Sequence, residues 1–107
     1  MISILLAAAI SQPLWFDNQH NGQLYVITPM VHLQNECQCD YRLKMLKTGI
    51  SGTSTSVQQS AVTIAANTDV ALTRISFNLQ QGDRVQIYLS LNDGKQVSLE
   101  NTLNLPK

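Results

Sequence analysis

Cys37-Gln38-Cys39-Asp40-Tyr41-Arg42-Leu43-Lys44-Met45 alternates in polarity without a break. Cys37, Cys39, Tyr41, Leu43 and Met45 fall on one side, and Gln38, Asp40, Arg42 and Lys44 on the other. Side chains along an extended strand point to opposite faces with a period of two. The stretch therefore predicts a half-buried strand with one apolar and one charged face. The same period recurs further on. Thr73, Ile75, Phe77 and Leu79 make a second inward set, with Arg74, Ser76 and Asn78 outward, and Val85, Ile87, Leu89 and Leu91 make a third. No segment carries a helical period.

Turn signals divide these stretches. Asn21-Gly22 is a hairpin signal between a short strand, Leu14 to Asp17, and a longer one, Leu24 to Leu33. Pro29 has no N–H to give to a ladder, so a bulge or an edge position is expected there. Gly49 and Gly52 bracket a turn, Gln81-Gly82-Asp83 makes another, and Asn92-Asp93-Gly94 reads as a hairpin turn leading to Val97 and Leu99. Thr53 to Ser60 reads as a solvated strand or a loop, and Val62 and Ile64 mark a short strand. About seven short strands, with turns at intervals of about eight to twelve residues, predict an all-β fold, an immunoglobulin-like β-sandwich. The corner at Gly82-Asp83, with Tyr88 along the next strand, suits that topology. A small barrel is the competing architecture.

Composition sets outer limits. A chain of 107 residues with 44% hydrophobic and 13% charged residues makes one domain, assigned to residues 12–105. Seven basic residues balance seven acidic ones, which leaves no footprint for nucleic acid or for an anionic membrane surface. Residues 1–9, Met1-Ile2-Ser3-Ile4-Leu5-Leu6-Ala7-Ala8-Ala9, are too short to span a bilayer, which needs about 20 apolar residues. An apolar run ending in alanines suits a secretory signal peptide, although it lacks a basic start. The competing reading is a first buried strand. With the signal removed, the domain has no segment for membrane insertion, and export would put it where disulfides persist.

Cys37 and Cys39 are the only cysteines. On an ideal strand their Cα atoms would stand about 6.6 Å apart, near the upper limit for a disulfide of about 6.8 Å. Two readings are open: a reversible vicinal disulfide, or two small hydrophobes at the core rim. Met30, His32, Cys37 and Cys39 form a soft-ligand set without the paired spacing of zinc sites, so no metal and no other cofactor is assigned. His20, beside the Asn21-Gly22 turn, reads as solvated. The sequence has no phosphate-binding Gly-rich loop, no G-x-S-x-G and no H-E-x-x-H. His32 could serve Cys37 as a base, but nothing visible orients it. The chain is read as a non-enzyme.

Two surface features could meet a partner. The polar run Ser51 to Ser60 is either an edge that pairs with a β-prone client or an ordinary solvated edge. Arg42, Lys44 and Arg74 are candidates for client binding through charge, against the plain reading of solvated surface.

The chain resembles the small periplasmic curli-assembly proteins of the CsgC type. The resemblance rests on the alanine-ended signal, Tyr25-x-Ile27-x-Pro29-x-Val31-x-Leu33 running into Cys37-x-Cys39, Ile64-x-Ala66-Asn67, Ala71-Leu72-Thr73, Asp83-Arg84-Val85-x-Ile87 and Asp93-Gly94. It implies an immunoglobulin-like sandwich in the periplasm. It also implies a role in curli secretion and assembly, with the amyloid-forming curli subunit as the partner kept from premature polymerisation, and other curli secretion components as further partners. The alternative function is a thiol–disulfide redox protein using Cys37 and Cys39. Glu36 and Asp40 depart from the family pattern of small or basic flanking residues. Their negative charge favours a thiol over a reactive thiolate.

Overall fold

A computed structural model describes residues 13–107. The signal-peptide assignment lies outside the described residues. The described residues form eight strands: β1 (Leu14–Asn21), β2 (Leu24–Val31), β3 (Cys37–Gly49), β4 (Gly52–Ile64), β5 (Val70–Ala71), β6 (Ile75–Asn78), β7 (Arg84–Asn92) and β8 (Ser98–Leu105). They form two antiparallel sheets packed as a sandwich. In the first, β2 pairs with β1 on one side and with β5 and β6 on the other; the second has the order β4-β3-β7-β8. Reading β8, β7, β3 and β4 as G, F, C and C′ gives the strand order of an immunoglobulin-like sheet, with β1, β2 and β6 as A, B and E.

The count of eight rather than about seven has a local cause at Pro29. β5 and β6 are two pieces opposite the same strand: Val31 and Met30 face Val70 and Ala71, and Ile27 to Leu24 face Ile75 to Asn78. Thr28 and Pro29 face the break, and the Pro29 carbonyl accepts a bond from the Leu72 N–H at 2.9 Å. Carbonyl and N–H of one strand residue point to the same side, so the missing N–H of Pro29 is directed at the break. The expectation of a bulge or edge is thereby corrected. Pro29 sits in a central strand, in unbroken register with Phe16 of β1, and the neighbouring strand yields instead.

The predicted inward sets on β3 and β7 lie in the core, except half-buried Met45, whereas of Thr73, Ile75, Phe77 and Leu79 only Leu79 is buried and the other three are half-buried. Cys37, Cys39, Tyr41 and Leu43 of β3, Val85, Ile87, Leu89 and Leu91 of β7, and Ile27 and Val31 of β2 are all buried. Burying each aliphatic side chain of this size contributes about 1.5–3 kcal/mol. Polar ties close the margins. Asn101 Nδ2 donates to the Leu14 carbonyl at 2.7 Å, joining β8 to β1, and Lys47 Nζ donates to the Asn78 carbonyl at 2.8 Å, joining β3 to β6.

Two turns differ from their sequence reading. The Gly82-Asp83 corner is held by Asp83, whose carboxylate accepts the Gln80 N–H at 3.1 Å, and Tyr88 takes no part. Tyr88 lies on the outer face, 40% exposed, and donates its hydroxyl to Gln86. The segment after Asn92 is a five-residue loop, 93–97, closed by the Asn92–Ser98 pair, rather than a tight hairpin turn. One oxygen of Asp93 accepts the N–H groups of Lys95, Gln96 and Val97, so the loop satisfies its own backbone.

Candidate client-binding face and cysteine pair

The cysteines open β3, where Cys37 pairs with Ile64 and Cys39 with Val62. Both side chains point inward and are nearly inaccessible, at 5% and 3% exposure. The sulfurs lie at disulfide distance and the Cα atoms are 5.5 Å apart. This corrects the ideal-strand separation of about 6.6 Å: the backbone contracts at the start of the strand, into the usual disulfide range of about 5.5–6 Å. Asp40 projects from the opposite face and, like Glu36, is exposed. Its charge is therefore separated from the sulfurs by the sheet itself.

The soft-ligand set does not assemble. Met30 has the parity opposite to Ile27 and Val31, and it shares the outer face of the first sheet with its partner Trp15. The cysteines face the core of the second sheet and are engaged with each other. His32 Nδ1 is 2.8 Å from Asp69 Oδ1, a pairing of residues 37 apart that no sequence spacing announces. His32 borders a hollow of about 560 Å³ that Ser98 also lines. Among the described residues no hydrogen bond joins Ser98 to His32. His20 is exposed as expected, but its ring stacks on Tyr25 at 4.7 Å.

Arg42 and Lys44 stand together on the outer face of the second sheet. Directly opposite residues in neighbouring strands share a face, which places Val57, Lys44, Tyr88 and Thr102 in one row across it. Gln59, Arg42, Ser90 and Glu100 make the next. Val57 and Tyr88, 48% and 40% exposed, flank Lys44. A shallow depression of about 430 Å³ lies beside Arg42, bounded by Asp40, Gln59, Ala61, Ser90 and Asn92. Arg74 is elsewhere. It sits in the link between β5 and β6 of the first sheet, next to Thr73, whose hydroxyl donates to Gln58. The predicted trio is thus a pair on one sheet and a separate residue on the other.

The comparisons with known proteins agree with this architecture. The family model for thin aggregative fimbriae synthesis proteins, Tafi-CsgC, matches residues 5–103. The curli assembly protein CsgC of Escherichia coli is 35% identical over 99 residues, covering 92% of this chain and 90% of that protein. Its counterpart in Salmonella typhimurium is 30% identical over 99 residues, covering 92% of each. The solved structure of E. coli CsgC superposes with a TM-score of 0.81 at 32% identity, covering 91% of this chain and all of that one. The solution structure of CsgH from R. palustris shares the fold, with a TM-score of 0.69 at 20% identity, covering 85% of this chain and 89% of that one. The chain belongs to the CsgC family of curli assembly proteins.

Proposed function

We propose that this protein is a periplasmic, non-enzymatic assembly factor that binds the amyloid-forming curli subunit and prevents its premature polymerisation. The observation that carries this reading is the family match along nearly the whole chain, joined to an E. coli relative named for curli assembly. The site geometry supports a binding role over a chemical one. Cys37 and Cys39 are buried at 5% and 3% exposure, so thiol exchange with another protein would first require the sheet to open. The outer face at exposed Arg42 and half-buried Lys44, with Val57 and Tyr88 beside it, offers charge and apolar contact on a rigid platform.

The test is a fibrillation assay of a curli subunit with this protein at a low molar ratio. A lengthened lag phase is expected, and it should persist in a Cys37→Ala, Cys39→Ala variant. A lag unchanged by the wild-type protein counts against the reading. A lag restored to normal by removing the sulfurs transfers the function to redox chemistry. Recovery from a periplasmic extract with a mature start between Ile10 and Pro13 is the expected result for localisation.

A further inference from the structure

Among the described residues, the longest open edge carries no proline, bulge or charge, and Gln58 on it accepts a side-chain bond from Thr73. β4 is an edge strand of 13 residues, Gly52–Ile64, and its ten residues from Gly52 to Ala61 are all exposed. It pairs with β3 in unbroken register through every position, with no bulge. Natural edge strands are protected by shortness, bulges, prolines or charges, because a bare edge is a template for another strand. From Thr48 to Thr68 the chain has no Lys, Arg, Asp, Glu or Pro. The other edges differ. β1 carries Asp17 and is tied to β8 through Asn101, and β5 and β6 are short and interrupted.

The direction of the free backbone groups follows from the turn. Ile50-Ser51 is a two-residue loop closed by the Gly49–Gly52 pair. Such a loop closes on a hydrogen-bonded pair, and bonded and non-bonded pairs then alternate. Residues 53, 55, 57, 59 and 61 therefore turn their N–H and C=O groups to the open side.

We infer that the open side of β4 captures an extended, Ser/Thr/Gln/Asn-rich strand of the amyloid-forming client by β-strand addition. This rests on the proposed function and names the surface that performs it. The occupant follows from the strip itself. Its side chains are Thr53, Ser54, Thr55, Ser56, Gln58 and Gln59 around Val57, which match the like-on-like polar ladders of cross-β assemblies. A second copy of this chain is a poorer fit. Ten residues at about 3.3 Å each, on a sheet about 10 Å thick, cover roughly 330 Å², against about 800 Å² per partner in a stable complex. A strip of that size suits a transient hold on an extended chain. A client strand added to β4 has β3 behind it, so one growing edge of a nascent cross-β sheet is capped.

The test uses Val57→Pro with Gln59→Pro, which removes two open-side N–H groups and no bond of the β3–β4 ladder, and a second variant, Val57→Lys with Gln59→Lys. In the fibrillation assay each should need about tenfold more protein than wild type for the same lag. Amide exchange of the wild-type protein with the client present is the parallel measurement, with gained protection expected at Thr55, Val57 and Gln59. Wild-type protein that fails to delay fibrils overturns the proposed function and this inference with it. Wild-type delay matched by both variants, without edge protection, overturns the edge alone. Protection that grows with protein concentration and needs no client assigns the edge to a second copy and also overturns it.

Discussion

Gly49 lies so close to Asp83 that a Cβ at position 49 would overlap the Asp83 carboxylate. The carboxylate has little freedom to retreat. It accepts the Gln80 N–H at 3.1 Å and stands 3.8 Å from Lys47 Nζ, which in turn holds the Asn78 carbonyl. The end of β3 and the corner before β7 are thus locked through one acidic side chain.

Gly49→Ala should therefore cost about 1–3 kcal/mol, the usual penalty for forced overpacking. A double variant with Asp83→Ala should show coupling, because removing the carboxylate relieves the overlap. Urea unfolding of the four proteins measures it. Additive losses would mean that the carboxylate moves aside freely.

Asp93 supplies a pH-dependent contribution. The N–H of Lys95, followed by that of Val97 and then of Gln96, holds its carboxyl below the ordinary value of 3.8. A depressed folded-state value means that the stabilisation is fully present above the unfolded-state value and is lost as pH falls from about 3.8 through the folded one. Asp93→Asn should therefore flatten the fall of stability as pH drops below about 3.8, as followed by denaturant midpoints. An unchanged slope would place the acid sensitivity in other carboxylates.

Strand parity was legible wherever apolar residues occupied the inner face without interruption, as from Cys37 to Leu43 and from Val85 to Leu91. It failed where polar residues face inward for tertiary reasons. Asn101 has the inner parity of β8 and breaks its apolar pattern to hold Leu14, so the strand was visible only as far as Leu99. β4 could be read as strand or loop because pairing with β3, rather than burial, fixes it. Pro29 misled because the relief for its missing N–H comes from a partner strand more than forty residues away. Among the candidate residues, the alternation of β3 correctly put Cys37 with Cys39 on one face and Arg42 with Lys44 on the other. It could not separate Arg74 from them, since sheet assignment is a long-range property.

The cysteine bridge should matter little to stability. It closes a loop of three residues, for which the chain-entropy relation gives roughly 1.6 kcal/mol. Cys37→Ala with Cys39→Ala should lose about 1–3 kcal/mol in all, including some packing, and remain folded. Cys37→Ser with Cys39→Ser should lose more, because it puts hydroxyls where the exposure is 5% and 3%. Melts of the three proteins decide the order. A reduced or alanine form that unfolds would make the pair a structural staple.

The separation of Arg74 from Arg42 and Lys44 gives a test of which sheet meets the client. Arg42 and Lys44 project from β3 beside Gln59 and Val57 of the open edge strand. A client strand laid against β4 would lie two strand spacings from β3, roughly 9.6 Å, within reach of two long basic side chains. Arg42→Glu with Lys44→Glu should weaken the delay of fibrillation severalfold at low ionic strength. The deficit should shrink as salt rises, since the screening length falls from about 30 Å at 0.01 M to about 8 Å at 0.15 M. Arg74→Glu, in the β5–β6 link whose Thr73 touches Gln58 of β4, should weaken the delay less than the pair does. Arg42 and Arg74 are exposed and Lys44 is half-buried, so denaturant midpoints of each variant should be measured beside the delay, and a lost delay with an unchanged midpoint would report contact rather than unfolding. Equal loss from Arg74→Glu would move the client contact to the first sheet, and a salt-independent loss from the pair would show that their charge is not what the client meets.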